Sequence, residues 1–208
     1  FPTRRSSDLG DWLTELLRQC AHPGGAAICG AMLWYPDETI QHAGIVTGLG
    51  GYAGHSHKYK KKGGSGYLFR TSTVQDFSGV TGACLLVKTA VYDEMHGLDE
   101  QFAVAFNDVD FCLRVRDAGY RIAWTPYAEL IHYESKSRGG DEKDPVKAAR
   151  FAAEQQRLYT IHGKENILDD PYYNPNLTRD REDFSESDDL RRLKEGRVTV
   201  RFRGGTLQ

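Results

Sequence analysis

The residues best suited to chemistry lie in "AFNDVDFCLRVRDAGYRIAW", residues 105–124, where an amide and two carboxylates, Asn107, Asp108 and Asp110, open an otherwise amphipathic helix. Asn107 with Asp110 three residues later forms a capping pair, and capping alone accounts for most of the pattern. It leaves Asp108 unexplained. A carboxylate in a first helical turn faces free N–H groups and the positive helix end, which favour its charged form. That suits a group that accepts a proton from a hydroxyl. Arg114 and Arg116 on the same helix fit solvated side chains; Arg114, one turn after Asp110, fits equally well a partner that pins that carboxylate through an i,i+4 pair.

Histidines are the next candidates. His42, His55 and His57 include the one-residue spacing of a strand-borne metal pair, but "GHSHK" sits in a glycine-rich stretch and reads better as a surface loop. The run "HKYKKKGG", with Tyr52, Tyr59 and Tyr67 around it, has the composition of a contact with anionic lipid or a lipid-diphosphate acceptor, but without helical spacing it reads better as a solvated mobile loop. His96 and His162 close helices and need only the helix dipole to explain them. Trp34, Trp124, Tyr35 and Phe106 read as core aromatics rather than a sugar platform.

The elements that must hold these residues follow from periodicity. "GDWLTELLRQCA" puts Trp12, Leu13, Leu16, Leu17 and Cys20 on one helical face. "AAICGAMLWY" is an unbroken apolar run of strand length, as in a strand covered on both sides. "IQHAGIVTG" alternates as a second strand. Residues 48–67 lack a period and predict a long mobile loop. "TVQDFSGVTGACLLVKTAVYDEMHG" predicts a short strand, a glycine turn, a buried strand over Ala83–Val87 and a helix ending at Gly97. A helix from Asp108 to Ala118 with Gly119 as its C-terminal stop comes next. Two strands follow, "YRIAWTP", stopped by Pro126, and "AELIHYES". Residues 144–162 predict a helix with Pro145 in its first turn. Beyond it an acidic stretch rich in Pro and Asn reads as a tail lying along the body. Strands alternating with helices predict an α/β sandwich with a mixed sheet, and in such sheets ligands gather at the carboxyl edge of the strands.

The totals narrow the classes. The 208 residues suffice for one domain with a real core, and 27 basic against 29 acidic residues (net charge −2) give no support for nucleic-acid binding. Cys20, Cys29, Cys84 and Cys112 form no CxxC pair and read as reduced, buried thiols of a cytosolic protein. No apolar run has the length of a membrane span, so the chain is expected to be soluble or at most peripheral at a membrane. Residues 1–9, "FPTRRSSDL", share no pattern with the rest and read as a non-native leader. The expected division is therefore leader 1–9, domain 10–165 and polar tail 166–208.

Four stretches, taken in order, carry a resemblance: "GAMLWYPDETIQHAGIV", "VTGACLLVKTAVYDEMHGLDE", "AFNDVDFCLRVRDAGYRIAWTPYAELIHYESKSRG" and "DPYYNPNLTRDREDFS". They look like the C-terminal half of a family 2 glycosyltransferase of the GT-A fold, of the bacterial, rhamnosyltransferase-like kind that builds cell-surface polysaccharide. The resemblance runs from about Gly10 to Ser185. It implies a Rossmann-like αβα sandwich, incomplete at its N-terminus. It makes Asp108 the base that deprotonates the acceptor, with Asn107 standing where the family usually has Glu. Thr81, Gly82, Asn107 and Asp110 become acceptor contacts, His132 a ligand or neighbour of a divalent metal (Mg²⁺ or Mn²⁺), and Lys136 and Arg138 contacts of the departing diphosphate. The implied partners are a nucleotide-sugar donor, dTDP-rhamnose or a UDP-sugar, and a glycan or lipid-linked acceptor. Family members carry an Asp-x-Asp motif shortly before the segment matching "GDWLTELL". Here "FPTRRSSDL" stands there, so the nucleotide-binding half is expected to be absent and this chain inactive by itself. Two other readings remain in play: a metal-dependent hydrolase using Asp108, Asp110 and His132, and a non-catalytic carbohydrate-binding module.

Overall fold

The computed structural model describes residues 3–4, 11–133, 145–188, 201–202 and 205–206. Its centre is β2 (Ile28–Trp34), all seven residues of which are buried. Parallel to it runs β8 (Ile122–His132), in register from Ile28↔Ile122 to Trp34↔Ile131. On the other edge of β2 two strands pair antiparallel: β3 (Ile40–His42) beside Leu33 and Trp34, and β7 (Leu85–Val87) beside Ile28–Gly30. The far edge of β8 takes β1 (Thr3–Arg4) and β6 (Gln75–Asp76), also antiparallel. The α/β class and the mixed sheet expected from the sequence are both present.

Both faces of β2 are covered, and its side chains alternate between two cores as strand geometry requires. Cys29, Ala31 and Leu33 pack with Leu16 and Cys20 of α1 (Trp12–Cys20). Ile28, Met32 and Trp34 face the opposite side, toward Trp124, Phe77 and Phe111. Gly30 is required where it stands: a Cβ there would lie 2.5 Å from Cβ of Val80. α1 is capped by Asp11, whose side chain accepts from the N–H of Thr14. The cysteines are free thiols, and burial raises all four, Cys84 to about 11 and Cys112 to about 12, so none supplies a thiolate at neutral pH.

On the second face lie α2 (Thr89–Glu94) and α3 (Asn107–Asp117), with α4 (Pro145–His162) and α5 (Lys164–Leu168) beyond them. Val109 and Leu113 of α3, Leu158 of α4 and Ile167 of α5 form a third core with Ile45 and Phe102. Among the described residues no helix is long and apolar enough to cross a membrane.

Three expectations change. The segment 48–67 is no mobile loop. β4 (Ile45–Thr47) and β5 (Ala53–His55) form a hairpin, and Ser56 and His57 are buried against the tail. The His57 N–H donates to the carbonyl of Glu182 at 2.9 Å, and the His57 ring stacks on Phe184 at 4.2 Å. Nor does Pro126 end a strand. β8 continues through it because pairing jumps from Thr125 to Glu129, and the excursion between them needs no N–H from residue 126. Finally, "IQHAGIVTG" is two strands rather than one, divided at Gly44, whose φ is +97°.

Candidate functional site

The site is built where α3 begins. Its N-cap is Phe106, in the left-handed region at φ +62°, and the capping pair expected of Asn107 and Asp110 does not form. Asn107 Oδ1 instead accepts from the N–H of Asp108 at 2.8 Å, and Asp108 Oδ1 from that of Val109 at 2.9 Å. Free donors of the first turn are thus met from within the turn. The entry is held from outside by Glu154 of α4, 4% exposed, which accepts from the N–H groups of Val104 and Ala105 at 3.2 and 2.8 Å.

The second oxygen of Asp108 accepts from the N–H of Gly82 at 2.8 Å. Two backbone donors on different elements therefore fix the orientation of a half-buried carboxylate. Gly82 is exposed, and a Cβ on it would sit 3.4 Å from Asp108 Cβ and 3.7 Å from Oδ2. The missing side chain leaves space directly beside the carboxylate.

Behind this turn stands His42, fully buried. Its Nε2 accepts from the N–H groups of Gly44 at 3.3 Å and Thr81 at 3.4 Å, which puts its proton on Nδ1, 2.8 Å from Nδ1 of His55. Burial, then the neighbouring His55 and His132, hold the His42 pKa well below the usual imidazole range. A neutral ring is what the geometry needs, since an imidazolium could not accept from Thr81. The sequence placed His42 on a strand but weighed it only as a third partner of His55 and His57 in a metal site; that it is fully buried beneath the Thr81–Gly82 turn was not legible there.

Asp110 turns inward. At 1% exposure it receives Arg114 Nε and Nη2 at 2.9 and 2.8 Å, and His162 Nε2 at 2.8 Å. Burial raises its pKa, but His162 and Arg114 outweigh that and hold it below the usual carboxylate value. Arg114 also donates to the carbonyls of Met95 and Gly97. Of the two readings of Arg114, the i,i+4 pair is the one present, and the cluster ties α3 to α2 and α4. His162, expected to answer only to the helix dipole, is the third member of this buried cluster.

The structure therefore brings Thr81, Gly82, Asn107 and Asp108 together at one turn and gives Asp110 to the interior. His132, the last residue of β8, is half-buried and makes no hydrogen bond to Asp108, Thr81 or Gly82; its link to the group is electrostatic, through His42. Lys136 and Arg138 lie outside the described residues. Among the described residues no group of three or more His, Cys, Asp or Glu side chains is arranged to hold a metal ion.

No family model matches the chain. It is 47% identical over 175 residues to an uncharacterized protein of Sinorhizobium fredii, covering 84% of this chain and 19% of that protein. It is 35% identical over 168 residues to an O-antigen biosynthesis protein of Myxococcus xanthus, covering 80% of this chain and 13% of that protein. Over 80 residues, 38% of this chain and 24% of the other, it is 32% identical to the N-acetylglucosaminyl-diphospho-decaprenol L-rhamnosyltransferase of Mycobacterium tuberculosis. The chain thus spans a quarter or less of each of these relatives, two of which are named for O-antigen biosynthesis and rhamnosyl transfer.

Proposed function

We propose that this chain is the acceptor-side part of a glycosyltransferase that moves a sugar from a nucleotide-sugar to a glycan or lipid-linked acceptor with inversion. The observation that carries the reading is the Asp108 carboxylate, half-exposed at the head of α3 and aimed by the N–H groups of Gly82 and Val109. The relatives named for O-antigen synthesis and rhamnosyl transfer support it. dTDP-rhamnose or a UDP-sugar is the proposed donor.

In the proposed step an acceptor hydroxyl enters over Gly82 and gives its proton to Asp108 as its oxygen attacks the anomeric carbon. A new C–O bond forms while the bond to the diphosphate breaks on the opposite face, and the nucleoside diphosphate leaves with the electron pair. One base and one displacement invert the anomeric centre, through a cation-like transition state as in glycoside chemistry generally. His42 keeps the Thr81–Gly82 backbone in place, and so acts on the reaction only through Asp108.

A hydrolase using Asp108, Asp110 and His132 together is disfavoured, because both Asp110 oxygens are engaged inside the protein. The deciding experiment supplies nucleotide-sugar to the native protein carrying this sequence, with and without a lipid-linked acceptor, and follows products by NMR. Transfer predicts an acceptor-dependent product of opposite anomeric configuration. Free sugar released at equal rate without acceptor would favour the hydrolase and overturn the proposal.

A further inference from the structure

We propose that residues 58–74 form a docking surface for an anionic lipid bilayer. Leu68 is 75% exposed and Phe69 66%, with Tyr59 at 65% and Tyr127 at 60%. Single exposed apolar residues are ordinary; two adjacent ones held outward by a built support are not. Leu68 and Phe69 are successive residues in the left-handed region, at φ 45° and 60°, a conformation that costs free energy for any residue with a side chain.

The support beneath this tip is extensive. Tyr67 N–H donates to the buried His57 ring at 3.0 Å. Thr71 closes the base of the tip, its N–H donating to the Ser65 carbonyl at 3.1 Å and its hydroxyl to that of Gly64 at 2.8 Å. The Tyr127 hydroxyl reaches the Ser72 carbonyl at 3.4 Å, which brings a second exposed ring to the same lobe.

Charge identifies the occupant. Lys58, Lys60 and Lys61 precede the tip in the chain, and among the described residues none has a carboxylate within ion-pair distance; Lys58 lies over the exposed Tyr59 ring at 5.3 Å, whereas Lys62 is engaged with Glu129 and Trp34. Lys60 lies beside Gly64, where an added Cβ would come 2.8 Å from its Cε and 3.7 Å from its Nζ, so at least this ammonium stands at the base of the apolar tip. A protruding aliphatic–aromatic pair with flanking ammonium groups fits the boundary between acyl chains and anionic headgroups: the tip enters the apolar zone and the lysines meet phosphates.

This inference is independent of the transfer reading, since its test requires no turnover. The purified chain is floated with vesicles of phosphatidylglycerol and phosphatidylethanolamine, and separately with phosphatidylcholine alone. Expected is binding to the phosphatidylglycerol vesicles that weakens with salt. Leu68→Ser with Phe69→Ser, and Lys60→Glu with Lys61→Glu, each lower it on the order of tenfold or more. All four positions are exposed, so circular dichroism and melting temperature should stay those of the parent. Three results would overturn the proposal: no binding to anionic vesicles, equal binding to phosphatidylcholine, or binding unchanged in both double variants. Lipid-free self-association abolished by the tip variant would also overturn it, assigning the tip to a protein contact.

Discussion

Asp108 and Gly82 depend on each other, one supplying the carboxylate and the other both a donor and an empty space. Gly82 does not lie in the left-handed region, so Gly82→Ala should fold with stability within about 0.5 kcal/mol of the parent. If the acceptor enters there, the same change should raise the acceptor KM about tenfold while leaving donor affinity alone, which initial-rate kinetics can separate. Asp110 makes the opposite case. Breaking a buried, fully partnered carboxylate cluster costs about 3–5 kcal/mol, so Asp110→Ala should unfold at markedly lower denaturant concentration. Because the Asp110 pKa is depressed in the fold, its contribution is complete above the ordinary carboxylate value of 3.8 and is lost as pH falls below that. Of this pattern the sequence shows the i,i+4 spacing to Arg114. It does not show which carboxylate faces solvent, because that is set by His162, 52 residues further along the chain.

At the scale of elements, the start of α3 is held by its neighbours more than by its own cap. Phe106 occupies a strained conformation, and Glu154 on α4 holds the two residues before it. Glu154→Ala should therefore loosen the entry to α3, seen as faster amide exchange at Val104 and Ala105 and a loss of about 1–3 kcal/mol. Helix existence was legible: the periodicity around Leu16 and the stop at Gly119 mark α1 and the end of α3. Cap identity was not, because Asn107 and Asp110 match a capping box, yet Asn107 bonds the N–H of the very next residue and Asp110 is taken by Arg114 and His162. β8 misled for a similar reason. Pro126 signals a strand end only when its missing N–H faces a paired neighbour, and here a bulge removes that neighbour.

For the whole molecule, the tail matters more than its composition implies. Tyr173, Leu177 and Phe184 are buried in the same core as Trp124, and Asp170 accepts from the N–H of Thr47 at 2.7 Å. A polar, proline-rich stretch with sparse aromatics gives no periodic signal, so these anchors were not legible before the fold was. Burial and the nearby Lys60 and Arg70 lower the pKa of His57 to about 4, and His42 is lowered too. A depressed folded pKa means stability that is complete above the unfolded value of 6.5 and lost as pH falls from there toward the folded value. Denaturation followed between pH 7 and 4 should show a decline, on the order of 3 kcal/mol for His57, that His57→Gln diminishes. The central claim concerns Asp108, and Asp108→Asn in the native protein carrying this sequence tests it most directly, by sugar transfer and nucleotide-sugar binding measured side by side. Transfer should fall about a thousandfold while the donor dissociation constant stays within roughly threefold of the parent; transfer at the parental rate would rule out Asp108 as the base.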